Sequence, residues 1–124
     1  IDKSLYQQVL PETTVQMEDG TVISGWLLAP GIYSVTFNEG VKIPSDCQAK
    51  ITNRSSIYRI GNTIESPWWD AGFECENMNT TFIVNTPIFI EPNARLAQIV
   101  FYRMEKPAEE TYNGQWQGLS SATK

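Results

Sequence analysis

Four short segments of this 124-residue chain carry residue types that could do chemistry. The first, residues 54–61, reads Arg-Ser-Ser-Ile-Tyr-Arg-Ile-Gly. It places the hydroxyls of Ser55 and Ser56 at the expected start of a short helix, close to Arg54 and Arg59. Free backbone N–H groups at a helix start, hydroxyl groups and guanidinium groups all suit phosphate. The alternative interpretation is an ordinary capped helix with surface arginines.

The other three segments each hold one notable side chain. Asp70 lies among the large aromatics of residues 68–73, where partial burial would make it a better general base, although a turn-forming Asp beside core aromatics is the commoner case. Gln98 lies inside an apolar strand and needs a partner, either across the sheet or on a phosphate. The polar tail from Glu109 onward carries Trp116. We expect this tail to be mobile, and it either closes over a ligand or docks on the domain's own surface.

Composition excludes several classes of site. The chain contains no histidine, which removes the Ser-His-Asp triad, the Cys-His pair and most zinc sites. A zinc-dependent cytidine deaminase is excluded for the same reason, since it also needs a Cys-x-x-Cys setting. The net charge of −5 argues against a nucleic-acid binder. An enzyme of this composition would use a carboxylate base, with positive charge from Arg, Lys or a loosely held metal.

The length fits one domain, residues 1–124, with residues 109–124 a flexible C-terminal lid. No apolar run approaches the roughly 20 residues that a membrane helix needs, so we expect no membrane partner. Cys47 and Cys75 form no disulfide framework, and a reducing cytoplasmic setting is the default expectation.

Turn signals recur at short intervals and separate short β-rich runs, which predicts an all-β sandwich or barrel. The predicted strands are residues 31–38, 47–52, 81–85, 88–90 and 94–104. The last is apolar on both faces, so we expect it to be central and covered on both sides. One helix is predicted from Ser55 to Ile60, with Ser as its N-cap and Gly61 as its stop.

The order and spacing of these segments resemble the trimeric deoxyuridine triphosphatase and deoxycytidine triphosphate deaminase superfamily, from about Leu27 to Gly118. The similar stretches are residues 28–33 (Leu-Ala-Pro-Gly-Ile-Tyr), 41–46 (Val-Lys-Ile-Pro-Ser-Asp), 54–61, 70–73 (Asp-Ala-Gly-Phe) and 95–98 (Arg-Leu-Ala-Gln). Each motif alone is weak, but together and in this order they are a strong signal for the fold.

The resemblance implies a distorted jelly-roll of the β-clip type that forms a homotrimer, with active sites between subunits and the tail closing over the nucleotide. It implies that Asp70 activates the water that attacks the α-phosphate. It also implies two sets of binding residues: Arg54, Ser55, Ser56, Arg59 and Gln98 for the triphosphate, and Ile64, Trp69, Phe73 and Trp116 for the nucleoside. Phe73 would pack on the deoxyribose and Trp116 would cover the base. Mg²⁺ would be held mainly by phosphate oxygens and waters.

Two details favour the hydrolase branch, with deoxyuridine triphosphate as substrate. The deaminases of the family carry a catalytic Glu ten residues after the motif Asp, where this chain has Thr80. The interval from Gly61 to Asp70 also matches the hydrolase hairpin. Cys75 and the Ser66–Pro67 approach depart from the pattern, and Pro67 removes a backbone N–H from the hairpin. A non-catalytic nucleotide-binding or regulatory relative, and a deaminase or bifunctional enzyme, remain as alternatives.

Overall fold

The computed structural model describes residues 10–107, 111–114 and 117–118. Within them the chain forms ten strands and one short helix, α1, which confirms the all-β prediction. The elements are β1 (Thr13–Gln16), β2 (Val22–Leu28), β3 (Gly31–Thr36), β4 (Val41–Lys42), β5 (Cys47–Asn53), α1 (Ser55–Arg59), β6 (Thr63–Glu65), β7 (Glu74–Cys75), β8 (Asn79–Val84), β9 (Ile88–Ile90) and β10 (Ala97–Arg103).

The strands pair into four small antiparallel sheets. Their orders are β1-β2-β9, β10-β5, β3-β8-β6 and β4-β7. Among these pairs only β1 and β2 follow each other directly along the chain, so the other ladders join strands that are distant in sequence. The longest ladder joins β5 to β10 over seven residue pairs.

Alternation of side chains builds the core, as predicted for β3 and β5. Tyr33 and Val35 face inward, while Ser34 and Thr36 are exposed. On β5, Ala49 and Ile51 are fully or almost fully buried, because inward positions recur every second residue. The central cluster consists of Leu28, Ile43, Ala49, Ile51, Ile57, Ile64, Phe73, Cys75, Met78, Phe82, Val84 and Ile90.

The helix begins as predicted but is capped differently. Its N-cap is Arg54, which has an extended backbone and makes no side-chain cap hydrogen bond. Ser55 is therefore the first helical residue, so the prediction that it is the N-cap was wrong by one position. Gly61 ends the helix with a positive φ of 89°, a conformation that glycine adopts without steric cost. In the described residues no helix is long and apolar enough to cross a bilayer.

The expectation that the strand around Gln98 is central was also wrong. Among the described residues β10 pairs with β5 alone. Phe101 and Tyr102 are about half exposed, at 47% and 52%. Tyr102 instead makes an edge-to-face contact with Trp68, whose ring centroid lies 4.9 Å away. Apolar residues on both faces of β10 therefore reflect one face on the core and one face carrying an exposed aromatic cluster.

Candidate functional site

The pairing of β5 with β10 brings several of the phosphate-binding candidates together. Gln98 lies on β10, and its Nε2 donates a 3.4 Å hydrogen bond to the carbonyl oxygen of Asn53, the last residue of β5. The chain then passes through Arg54 into α1, whose first two residues are Ser55 and Ser56. All four side chains of Arg54, Ser55, Ser56 and Gln98 are exposed at this end of the strand pair. The structure thus brings together four of the residues that the family resemblance assigns to the triphosphate.

Arg54 is fixed by contacts to the loop before β10. Its N–H lies 3.4 Å from the carbonyl oxygen of Leu96, and its Nη1 donates to the carbonyl oxygen of Arg95 at 2.9 Å. Its own carbonyl oxygen accepts hydrogen bonds from Ile57 and Tyr58, at 3.1 and 3.2 Å. The guanidinium group is thus held by one nitrogen and keeps its remaining N–H groups for another acceptor.

The start of α1 offers further donors. The N–H groups of Ser55 and Ser56 precede the first hydrogen bonds of the helix, and the first turn of any helix leaves such groups without an intrahelical partner. With two hydroxyls and a guanidinium group beside them, these donors could hold an anion. Arg59 lies in the last turn, about 6 Å further along the helix axis, and is exposed.

Asp70 is positioned by a bridge to the opposite end of β5. Trp69 and Ala49 exchange two backbone hydrogen bonds, of 2.6 and 3.1 Å. The next residue, Asp70, accepts the N–H of Phe73 on its carbonyl oxygen at 3.1 Å, which closes a tight turn. The Asp70 side chain is exposed. Of the two interpretations of Asp70, the single chain shows the turn-forming Asp beside core aromatics, because the rings of Trp69 and Phe73 pack on each other instead of on the carboxylate.

The Asp70 end and the phosphate end are far apart within one chain. Ala49, beside Trp69, and Ser55 lie six residue steps apart along the end of β5 and the extended Arg54. At a rise of about 3.3 Å per residue the separation is about 20 Å. One chain therefore does not bring Asp70 to the candidates Ser55 and Ser56.

The nucleoside-binding candidates lie mainly inside the fold. Ile64 is completely buried and its N–H donates to the side chain of Asn53, so this residue is not open to a ligand in the single chain. Phe73 is 7% exposed and stacks on the half-buried Trp69, with ring centroids 5.8 Å apart. A contact from Phe73 to a sugar would need the packing around it to open. Trp116 lies outside the described residues.

Two asparagines that the sequence analysis did not single out fix the hairpin between α1 and Asp70. Asn62 is completely buried, and its Oδ1 accepts the N–H groups of Asn85 and Thr86. The side chain of Asn53 accepts the N–H of Ile64. Buried amides of this kind are hydrogen-bonded because an unpaired polar group in the core is costly. The sequence feature that could have pointed to Asn62 is its position directly after Gly61, the glycine that ends the helix.

The tail docks on its own chain, beside Asp70. Tyr112 donates its N–H to the carbonyl oxygen of Ala71 at 2.6 Å, and its ring meets Phe73 edge to face with centroids 5.3 Å apart. Gln117 and Gly118 bind the backbone of Glu74. For residues 111–114 and 117–118, docking on the domain's own surface, one of the two alternatives, is the one observed.

A groove among the described residues lies elsewhere. Gly40, Val41, Lys42, Glu74, Cys75, Glu76 and Gly118 line it, and none of these is a predicted site residue. In the described part of the chain no group of three or more carboxylate or thiol side chains could hold a metal ion. No disulfide joins Cys47 to Cys75. Desolvation, followed by the neighbouring Asp46 carboxylate, raises the pKa of the Cys47 thiol, which disfavours its reactive thiolate form.

Comparisons with known proteins agree with the motif order. Residues 6–104 match the profile of the dCTP deaminase-like family. The chain is 40% identical over 95 residues to the "Probable deoxyuridine 5'-triphosphate nucleotidohydrolase" of Methanosarcina mazei, covering 75% of this chain and 56% of that protein. It is 37% identical over 102 residues to the "dCTP deaminase, dUMP-forming" of Persephonella marina, covering 80% and 57%. The chain thus spans just over half the length of these relatives.

Proposed function

Because this chain belongs to the dCTP deaminase-like family, we propose that it hydrolyses deoxyuridine triphosphate to the monophosphate and pyrophosphate. The observation that carries the proposal is the cluster at the end of β5 and β10. Two hydroxyls, an arginine, a glutamine amide and open N–H groups meet there, next to a strand pair that the family motifs mark. Methanosarcina relatives named as probable deoxyuridine 5'-triphosphate nucleotidohydrolases support the choice of substrate.

The triphosphate would lie along the exposed start of α1. Ser55, Ser56 and their N–H groups would bind the phosphate oxygens, while Arg54 and Gln98 would hold them from the strand side. Arg59 would meet the phosphate end furthest from β5. Such preorganised donors stabilise the charge that develops on the phosphates during transfer.

Asp70 would orient the attacking water and accept its proton. Its exposed carboxylate is free to point toward a ligand, and the turn to Phe73 fixes its backbone. Since the described residues hold no cluster of metal ligands, Mg²⁺ would be carried mainly by the phosphate oxygens and waters, which fits its preference for such ligands. Its charge would offset that of the triphosphate.

The separation of about 20 Å between the two ends of β5 supports a site shared between subunits. Asp70 of one chain would meet the phosphate cluster of another, and a closed homotrimer supplies that contact three times. Among the described residues the aromatic cluster of Trp68 and Tyr102 is about half exposed, and it is available for such an assembly. We place the protein in a reducing compartment such as the cytoplasm, which fits a chain whose two cysteines are not joined in a disulfide.

Deamination is the weaker candidate. The position ten residues after Asp70 is Thr80, a buried residue whose hydroxyl donates to the backbone carbonyl of Glu65. A threonine hydroxyl engaged in this way cannot act as the carboxylate base of a deaminase. The Persephonella relative, however, makes dCTP a necessary second substrate in any assay.

The test is release of pyrophosphate and ammonia from dUTP and dCTP, with Asp70→Asn as the decisive variant. We expect wild-type protein to release pyrophosphate from dUTP and no ammonia from dCTP. Asp70→Asn should lower kcat by about 10²- to 10⁴-fold while nucleotide binding stays close to wild type, because the substitution removes the base and keeps the shape. Glu76→Gln, at a nearby exposed carboxylate, is the matched control. Full turnover by Asp70→Asn would show that the base is elsewhere, and binding without turnover in the wild type would favour the regulatory alternative.

A further inference from the structure

Gln117 connects the C-terminal tail to the turn that follows Asp70. Its Oε1 accepts the N–H of Glu74 at 2.8 Å. Its Nε2 donates to the carbonyl oxygen of Gly72 at 2.9 Å and to that of Tyr112 at 3.0 Å. Both N–H groups of the side-chain amide are thereby used, and the oxygen has a donor. The side chain is half-buried, and its hydrogen bonds supply the partners that polar groups removed from water need.

The backbone hydrogen bonds around Gln117 strengthen the same contact. On one side, the N–H of Tyr112 binds the carbonyl oxygen of Ala71 at 2.6 Å. On the other, the N–H of Gly118 binds the carbonyl oxygen of Glu74 at 2.8 Å. The tail therefore forms hydrogen bonds with successive peptide groups of the backbone from Ala71 to Glu74, directly after Asp70.

Gly72 allows this close approach. Its φ is +86°, in the region that glycine favours. A Cβ built on it would lie 2.3 Å from the Cβ of Thr111, so the tail occupies the space that any other side chain would need. Two independent observations therefore support the contact between the turn and the tail. One is the set of hydrogen bonds made by Gln117, and the other is the lack of a side chain at Gly72, which leaves room for Thr111.

We propose that Gln117 is a positioning residue for catalysis: by holding the Ala71–Glu74 backbone, its side-chain amide fixes the direction in which Asp70 presents its carboxylate. The inference rests on the proposed function of Asp70. An exposed carboxylate on an unsupported turn samples many orientations, and a base displaced by about 1 Å can lose about 10²-fold in rate. The tail of a chain would then act first on its own Asp70, whatever it also does toward bound nucleotide.

The test combines kinetics with amide hydrogen exchange on Gln117→Ala, Gln117→Glu and Asn113→Ala. We expect Gln117→Ala to lower kcat about 10- to 100-fold with KM little changed. We also expect it to speed exchange of the Glu74 N–H, while the amides of β3 and β8 exchange as in the wild type. Asn113, an exposed tail residue, is the matched control and should leave both measurements unchanged.

Gln117→Glu separates shape from hydrogen bonding. The carboxylate is nearly the same size but offers no donor at neutral pH, and it faces the carbonyl oxygens of Gly72 and Tyr112. It should therefore lose kcat at least as strongly as Gln117→Ala. Retained turnover in this variant would contradict the need for the two donated hydrogen bonds.

The outcomes distinguish this inference from the proposed function. Wild-type kcat with fast Glu74 exchange in Gln117→Ala would overturn the positioning role, because the contact would be lost without consequence. Unchanged exchange would overturn it as well, because Gln117 would not hold the turn in solution. A purely structural role would lower the melting temperature and change kcat no more than an equally destabilising substitution in β1, such as Val15→Ala. If the wild-type protein hydrolyses no deoxynucleoside triphosphate, the positioning role falls with the proposed function, while the exchange data still report whether the contact exists.

Discussion

The two ends of strand β5 carry the two halves of the proposed site, and they are built in opposite ways. At the Asn53 end, the phosphate-binding candidates are exposed side chains and open N–H groups, with Gln98 and Arg54 each making single bonds to backbone carbonyls. At the Ala49 end, the Asp70 turn is packed on aromatic rings and gripped by the tail. The first end offers many donors to a ligand, and the second fixes one carboxylate.

This difference suits the two tasks. A triphosphate has many oxygens, so several donors can share the binding and each contributes little on its own. Proton transfer depends on a single group whose direction must be fixed before the reaction. Substitutions at the phosphate end should therefore act gradually and mainly on KM, whereas substitutions around Asp70 should act steeply and mainly on kcat.

We expect the largest effect from an experiment that inactivates the phosphate-binding half of the site in one chain and the Asp70 half in another chain. Ser56→Glu puts a carboxylate where phosphate would bind, and a negative charge at a helix start is tolerated by the fold. We expect Ser56→Glu and Asp70→Asn to be almost inactive when each is assembled alone. After the two are unfolded together and reassembled, about one site in four should combine an intact Ser56 with an intact Asp70 from different subunits, and activity should return to that level.

A matched control keeps this complementation interpretable. In the control, the double variant carries Ser56→Glu and Asp70→Asn in the same chain and is mixed with wild type. This mixture should show no activity beyond that of the sites built from wild-type chains alone. No recovery in the mixture of single variants, with trimers demonstrated by light scattering, would mean that both halves act within one chain. The distance of about 20 Å along β5 would then have to close by a rearrangement.

A smaller difference in stability is expected between substitutions of two glycines with positive φ, Gly61 near the phosphate end of the site and Gly72 near the Asp70 end. Gly72→Ala meets both an unfavourable φ and the side chain of Thr111 at 2.3 Å, whereas Gly61→Ala meets the same φ with Thr86 Oγ1 at 3.5 Å, an ordinary contact. We expect Gly61→Ala to cost about 1 kcal/mol of unfolding free energy and Gly72→Ala to cost about 2–3 kcal/mol or more. Chemical denaturation measures both, and Gly72→Ala alone should also speed exchange at the Glu74 amide. Equal losses in the two variants would show that the tail does not occupy the space beside Gly72 in solution.

The sequence predicted the local features of the site better than its long-range ones. The alternation of β5, the helix after Arg54 and the stop at Gly61 follow from neighbouring residues, and these predictions agree with the structure. The grip of Gln117 on Gly72 joins residues 45 positions apart, so no local pattern contains it. The burial of Phe73 under Tyr112 has the same origin, and it explains why a residue that the family resemblance assigns to the sugar is packed in the core.

The β10 strand shows a different limit of sequence reasoning. An apolar strand predicts that both faces are covered, but it does not say by what. In this chain the face that carries Ala97 and Ile99 packs on the core, while Tyr102, on the opposite face, is about half exposed and contacts Trp68. The sequence pattern correctly predicts that the strand is apolar. Only the structure distinguishes a face that the same chain covers from a face that is exposed and available to another chain.

The smallest effect concerns Ser55, where the sequence and the structure make different predictions. If Ser55 were the N-cap, Ser55→Ala would cost about 1 kcal/mol of stability. Because the N-cap is Arg54, without a side-chain cap bond, the hydroxyl of Ser55 does not hold the helix, and Ser55→Ala should leave the melting temperature within about 1–2 °C of wild type. It should instead raise KM for the nucleotide about two- to tenfold with kcat nearly unchanged, since one of several phosphate donors is lost. A stability loss of the full N-cap size with unchanged KM would return Ser55 to a structural role and remove it from the phosphate cluster.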